Sequence, residues 1–139
     1  MRKFLLLFLI TSFFSCERNN TNDILPNIDV NVVLDLNLPE YISLKTPSDW
    51  VYVQGGLQGI VVQNTGIGNP NFKAFERACP NNDCTSPMTF DGSLKLKCSC
   101  DDSEYSIIDG SPQTAGNYHF AREYKVNQVN ENTLIITNY

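Results

Sequence analysis

Alternation of apolar and polar residues is the clearest pattern in the chain. Between Ile28 and Asn37, Val and Leu side chains alternate with Asp and Asn. A period of two residues is typical of a β-strand with one buried face, and Pro39 ends the run. Further short β-favouring runs are separated by clusters of Gly, Asn, Pro and Ser, and they cover 51–53, 59–63, 72–77, 94–97, 105–108, 124–129 and 134–137.

The order of these runs predicts an all-β domain. No window has the length and period of a helix, and closely spaced short strands with turn residues between them favour a sandwich or a barrel. The last two runs, joined by Asn130, Glu131 and Asn132, predict a closing hairpin. Gly66 and Gly68 form a Gly-x-Gly without a third glycine or a following helix, which favours a turn over a nucleotide site.

Length and charge narrow the class of protein. The chain has 139 residues, 42% of them hydrophobic, which suffices for one buried core. Without Arg2 and Lys3, in a segment we expect to be removed, 8 basic residues stand against 15 acidic ones, a net charge of −7. Such a surface repels phosphate backbones, so we predict no binding to nucleic acid.

The N-terminus predicts export. Residues 1–15 combine a basic start with an apolar run too short to span a bilayer, the pattern of a signal peptide. The residues before Cys16 resemble a bacterial lipobox, although Phe13 and Phe14 depart from its usual residues. We therefore predict a lipoprotein signal peptide (1–15), a lipidated Cys16 with a polar tether (16–27), and a β domain (28–139). The alternative is an ordinary secretory signal with an incidental Cys16.

Either alternative places the domain outside the cytoplasm. We expect it in the periplasm or on the cell surface, held to a bacterial membrane through lipid on Cys16. Four cysteines remain, Cys79, Cys84, Cys98 and Cys100, in a compartment that permits disulfides. Cysteines on two loops are compatible with zinc, an iron–sulfur cluster or two disulfides. The C-x4-C and C-x-C spacings match a zinc ribbon poorly.

The two cysteine segments resemble the boxes of the Rieske [2Fe–2S] family. The first box of that family begins C-x-H, and the second reads C-x-C-H-G-S-x-Y/F. The resemblance implies a small Rieske-like fold of stacked antiparallel sheets with the two cysteine loops at one end. It places Cys79 and Cys98 at the ligand positions. It places Cys84 and Cys100 at the disulfide positions, and Ser103 and Tyr105 at positions that donate hydrogen bonds toward the cluster.

The departures from the family fall on the metal ligands. Asn81 and Asp101 stand where the family has its two histidines, and Asp102 replaces the glycine that follows the second. A Rieske centre needs two neutral imidazoles on one iron. His119 is the only histidine in the chain, so two imidazoles are impossible, and a surface or structural role is its simplest interpretation.

Without iron, the resemblance implies two disulfides, Cys79 with Cys98 and Cys84 with Cys100. We therefore predict an envelope lipoprotein with a degenerate Rieske-like domain, a binding or structural component without a cofactor. The alternative is a [2Fe–2S] electron-transfer protein, the redox component of an oxidoreductase, with Asp101 or His119 as a non-standard ligand. An all-cysteine cluster and thiol chemistry at Cys98 and Cys100 are further alternatives. The partner would be an unidentified envelope protein or redox protein.

No set of residues predicts an ordinary enzyme. The chain contains serines, acids and His119, but no motif places a nucleophile on a strained turn beside a base. We therefore assign no catalytic residue.

Overall fold

The computed structural model describes residues 24–116 and 118–139. The predicted signal peptide, the lipidation position Cys16 and most of the tether lie outside these residues. Residues 24–27, at the end of the predicted tether, pack on the domain. Leu25 is buried, and the Arg122 guanidinium donates hydrogen bonds to the carbonyls of Leu25 and Pro26 at 2.6 and 2.7 Å. These residues therefore belong to the folded part.

The described residues form nine β-strands and one short 3₁₀ helix. The strands are β1 (Asn31–Asp35), β2 (Trp50–Val53), β3 (Ile60–Asn64), β4 (Phe72–Glu76), β5 (Thr89–Phe90), β6 (Lys95–Lys97), β7 (Glu104–Ser106), β8 (Glu123–Asn130) and β9 (Thr133–Thr137). The 3₁₀ helix, η1 (Ile42–Lys45), lies between β1 and β2. In this part of the chain, no helix is long and apolar enough to cross a membrane.

The strands form two antiparallel sheets. The larger sheet has the order β1-β9-β8-β4-β3-β2, and the smaller has the order β5-β6-β7. The predicted hairpin is confirmed as β8 and β9, with a register shift between Gln128 and Asn130. The predicted all-β fold is likewise confirmed. Strand β5 was not predicted, because a two-residue strand leaves no periodic pattern to detect.

Two hydrophobic clusters explain why β3 and β4 are so strongly buried. Val62 and Ala74 belong to one cluster, which also contains side chains of β1, β8 and β9. Val61 and Phe75 belong to the other, which contains Cys79, Cys84 and Cys98 and side chains of the smaller sheet. Successive side chains of a strand point to opposite faces, so both faces of β3 and β4 are covered. These two strands connect the main core to the cysteine loops.

Candidate functional site

The two cysteine loops meet at the smaller sheet. The first loop follows β4, and the second connects β6 to β7. Disulfides join Cys79 to Cys98 and Cys84 to Cys100, with Cα–Cα distances of 5.7 and 5.8 Å. Both distances lie in the usual range for a disulfide. These are the pairs that the resemblance implies for a chain without a cluster.

The two disulfides differ in their exposure to solvent. Cys79 and Cys98 are buried, with 1% and 0% of their surface exposed, and Cys84 is 9% exposed. Cys100 is exposed. The Sγ atoms of Cys79, Cys84 and Cys98 all lie within 4.8 Å of one another. The site is thus a compact group of sulfurs from three buried cysteines, joined to a fourth cysteine that is exposed.

Asn81, at the first histidine position of the family, contacts a third segment of the chain, residues 118 and 119. Its side-chain oxygen accepts a hydrogen bond of 3.1 Å from the backbone N–H of His119. The neighbouring Tyr118 ring packs edge-on against Tyr105, with 6.4 Å between the ring centroids. Residues 118 and 119 therefore lie against the cysteine loops, and the contact of His119 with Asn81 is made by its backbone.

Asp101, at the second histidine position, caps its own turn. Its Oδ1 accepts hydrogen bonds from the backbone N–H of Ser103 at 2.9 Å and from the Ser103 hydroxyl at 2.6 Å. These bonds to the charged form lower the pKa of the Asp101 carboxyl. The Ser103 oxygen also lies 3.1 Å from the Tyr105 hydroxyl. Because the single Ser103 proton is used for Asp101, Tyr105 is the donor in that contact.

Asp102, which replaces a glycine of the family, has the backbone conformation that glycine favours. Its φ is +59°, in the left-handed region that favours glycine, which is the residue the family has there. The Asp102 carboxylate pairs with the Lys97 ammonium at 2.9 Å, and this contact raises the pKa of Lys97. Both side chains are well exposed, so the pair contributes little to stability.

A buried carboxylate lies directly before the first cysteine loop, at a position not predicted to be functional. Glu76 is fully buried and accepts hydrogen bonds from five donors. Four are backbone N–H groups and one is a hydroxyl: Leu57 N, Gln58 N, Arg77 N, Ala78 N and Tyr124 Oη. The sequence pattern of β4 could have indicated that Glu76 is buried, because Glu76 lies on the same side of the strand as Phe72 and Ala74, and that side faces the core.

The loop between β2 and β3 connects this carboxylate to a cysteine. Leu57 and Gln58 donate to Glu76, and the Gln58 amide also donates to the carbonyl of Cys84 at 3.3 Å. Gly56 approaches the carboxylate so closely that a Cβ atom there would collide with Glu76 Oε2. Glu76 therefore determines where this loop and the first cysteine loop lie relative to each other.

Comparison with known proteins bears on the fold. No protein-family model matches the chain, and no curated protein matches it at a significant level. A solved structure described as an NADH-dependent nitrite reductase small subunit from Mycobacterium tuberculosis has a TM-score of 0.50 at 12% identity. The match covers 81% of this chain and 98% of that one. The chain has a Rieske-like fold.

A second solved structure is the ferredoxin of carbazole 1,9a-dioxygenase from Nocardioides aromaticivorans IC177. Its TM-score is 0.49 at 14% identity, and the match covers 81% of this chain and all of that one. At such identities the likeness concerns the fold alone. What the two cysteine loops hold in this chain follows from their own residues.

These residues do not fit a Rieske cluster. The two cysteines at the ligand positions, Cys79 and Cys98, are bonded to each other. At the two histidine positions, Asn81 offers an amide oxygen and Asp101 a carboxylate, and both oxygens already accept hydrogen bonds. The Ser103 hydroxyl, which the family directs toward its cluster, donates to Asp101. The donor set therefore lacks the two imidazoles that define the centre.

Proposed function

We propose that this chain is an exported lipoprotein in which two disulfides take the place of the iron–sulfur cluster. In this proposal its Rieske-like domain is a binding or structural component of the cell envelope. One observation carries the proposal: all four cysteines of the two loops are paired with each other. Small exported domains commonly use such disulfides for stability.

Two further features support this proposal. The turns that would hold the missing histidines are closed by hydrogen bonds within the protein, through Asn81 and Asp101. Cys79, Cys84 and Cys98 are also part of a buried cluster with Phe75 and Leu96, so the Cys79–Cys98 disulfide lies within a hydrophobic core. A domain of this kind keeps the architecture of the fold and uses its surface for contact with an envelope partner.

Iron, acid-labile sulfide and free thiols measured together test the proposal. The full chain is purified from an exporting host, and its cysteines are mapped by alkylation and proteolysis. We expect neither iron nor sulfide, and no alkylation at Cys79, Cys84, Cys98 or Cys100. Stoichiometric iron and sulfide with a visible charge-transfer spectrum would overturn the proposal.

Membrane attachment is tested separately. We expect the wild-type chain in the membrane fraction and Cys16→Ala in the soluble fraction, because the lipid would be attached to the Cys16 sulfur. Cys100→Ser serves as the matched control, since it removes a different cysteine and should stay with the membrane. Continued sedimentation of Cys16→Ala with membranes would exclude anchoring through Cys16.

Electron transfer through a [2Fe–2S] cluster is the second candidate function. It is favoured by the close approach of the two ligand-position cysteines, Cys79 and Cys98, and by hydroxyl groups at Ser103 and Tyr105. The double variant Asn81→His, Asp101→His distinguishes the candidates. For an electron-transfer protein, it should strengthen a cluster signal that the wild type already has. If the wild type instead has two disulfides, it gives no cluster signal, and any cluster signal in the double variant is new.

A further inference from the structure

We propose that the two disulfides form a single two-electron thiol–disulfide centre. Cys100 is its entry point, and Cys84 passes the exchange to the buried Cys79–Cys98 disulfide. This inference rests on the proposed function, because it requires the four sulfurs to be in disulfides rather than on iron. The reductant is a dithiol, either a small molecule or a protein with two neighbouring thiols.

Exposure determines where the reaction begins. A thiolate must reach a disulfide sulfur to attack it, and Cys100 is exposed whereas Cys79 and Cys98 are buried. Attack on the Cys100 sulfur forms a mixed disulfide with the reductant and breaks the Cys84–Cys100 bond. Cys84 leaves as a thiolate. The buried disulfide is protected from direct attack, so its reduction needs an internal nucleophile.

Proximity makes Cys84 that nucleophile. Its Sγ lies within 4.8 Å of the Sγ atoms of both Cys79 and Cys98. The carbonyl oxygen of Ser86 also lies 3.4 Å from the Cys84 sulfur and 3.9 Å from the Cys79 sulfur, so the first loop holds both sulfurs against one backbone group. Attack of Cys84 on Cys79 forms a Cys79–Cys84 bond, breaks the Cys79–Cys98 bond and releases Cys98 as a thiolate.

The exchange balances with one dithiol. The second thiol of the reductant then attacks the reductant's own sulfur in the mixed disulfide. This attack forms a disulfide within the reductant and releases Cys100 as a thiolate. Cys98 and Cys100 take up the two protons that the dithiol loses. The products are one oxidised reductant and a chain that has gained two electrons, with thiols on the second loop and one disulfide within the first.

Partial reduction of the wild-type full chain tests this inference without any substitution. The oxidised chain is treated with one equivalent of dithiothreitol under native conditions, quenched with acid, alkylated and digested with trypsin. Cleavage after Arg77, Lys95, Lys97 and Arg122 separates the two loops into peptides 78–95 and 98–122. Before reduction, two disulfides join these peptides.

The peptide pattern distinguishes the outcomes. Internal exchange gives peptide 98–122 with two alkyl groups and no link, and peptide 78–95 with an internal disulfide. If only the exposed disulfide reacts, the peptides stay linked through Cys79 and Cys98, with alkyl groups on Cys84 and Cys100. Finding only that linked product would overturn the inference. If Cys79 and Cys98 carried a cluster, the untreated sample would contain iron and sulfide, and its peptides would be linked through Cys84 and Cys100 alone, which instead contradicts the proposed function.

Two single variants provide matched controls. In Cys100→Ser, Cys84 is left beside the buried disulfide, and we expect unlinked peptides without added reductant, in a proportion independent of protein concentration. In Cys84→Ser, the free sulfur belongs to Cys100, which is not one of the three close sulfurs, and we expect the peptides to stay linked. Equal fractions of unlinked peptide in the two variants would contradict the role of Cys84.

Discussion

The Tyr124 hydroxyl donates a hydrogen bond of 2.7 Å to Glu76 Oε2, and both side chains are buried. Tyr124 lies on β8 and Glu76 at the end of β4, immediately before the first cysteine loop. The carboxylate also accepts four backbone N–H groups. A buried charge is tolerable only when hydrogen bonds replace water, so this contact is part of what keeps the first cysteine loop in place.

Removing the Tyr124 hydroxyl should therefore lower stability. Tyr124→Phe keeps the ring but takes one donor from a buried carboxylate, and we expect a loss of about 1–3 kcal/mol in the free energy of unfolding. Urea denaturation measures it. Tyr139→Phe is the control, because Tyr139 is 83% exposed, and its change should stay within about 0.5 kcal/mol. Equal losses in the two variants would contradict a special role for Tyr124.

The same contact predicts sensitivity to alkaline pH. Burial raises the pKa of Tyr124 above its ordinary value of 10.0, and the Glu76 carboxylate raises it further. The folded chain then holds this proton more tightly than the unfolded chain does. The stabilisation is complete below about pH 10 and is lost as the pH rises beyond it. Unfolding experiments between pH 9 and about 11.5 should show a shallower decline for Tyr124→Phe than for the wild type, and parallel curves would exclude this linkage.

Gly56 should not tolerate a side chain. Its φ is +65°, and a Cβ atom would collide with Glu76 Oε2. We expect Gly56→Ala to destabilise the domain by more than Gly66→Ala, which has a similar φ of +69° but meets only the Pro47 ring edge at 3.1 Å. In both variants, alanine in the left-handed backbone conformation lowers the free energy of unfolding by about 1 kcal/mol or more. The difference between the two losses therefore measures the effect of the collision with Glu76. Thermal unfolding of both gives that difference, and equal values would contradict it.

Ser103 should control the ionisation of Asp101. Its hydroxyl is the first cause of the lowered pKa of that carboxyl. In Ser103→Ala we expect the pKa of Asp101 to rise toward its ordinary value of 3.8, as measured by carboxyl ¹³C NMR. Asp109 and Ser111 form a similar turn, with a hydroxyl contact of 2.7 Å. Ser111→Ala should therefore raise the pKa of Asp109 toward its ordinary value and leave the pKa of Asp101 unchanged. An unchanged Asp101 in Ser103→Ala would contradict this cause.

Because Asp101 has a lowered pKa in the folded chain, its contribution to stability is present above pH 4 and is lost as the pH falls through its folded pKa. Asp101 is exposed, so this contribution is small.

The pairing of Cys84 with Cys100 predicts the energetics of its variants. The disulfide closes a loop with a sequence separation of 16, which contributes about 3 kcal/mol in the chain-entropy model. We expect Cys84→Ser, which keeps the Cys79–Cys98 disulfide, to lose about this amount. The double variant Cys84→Ser, Cys100→Ser should lose no more than Cys84→Ser alone, because the single variant already lacks the bond. A further loss of similar size in the double variant, measured by chemical denaturation, would contradict the pairing.

The sequence by itself determined the class of the fold. Alternation in β1, the turn clusters and the closing hairpin are local patterns, and each constrains residues that are neighbours along the chain. The segments with Cys79, Cys84, Cys98 and Cys100, followed by Ser103 and Tyr105, also resembled the boxes of the Rieske family, and this resemblance implied a Rieske-like fold. Local patterns could not indicate β5, whose two residues depend on pairing with β6.

Only the tertiary structure decided how the site is built. It brought Cys84 within 4.8 Å of Cys79 and Cys98, and placed the backbone of His119 against Asn81. It also brought donors from two distant segments, around Gln58 and Tyr124, to the Glu76 carboxylate. The physical reason is the same in each case. Such contacts join residues that are distant in the chain, and their geometry is determined by the packing of the two sheets rather than by sequence spacing.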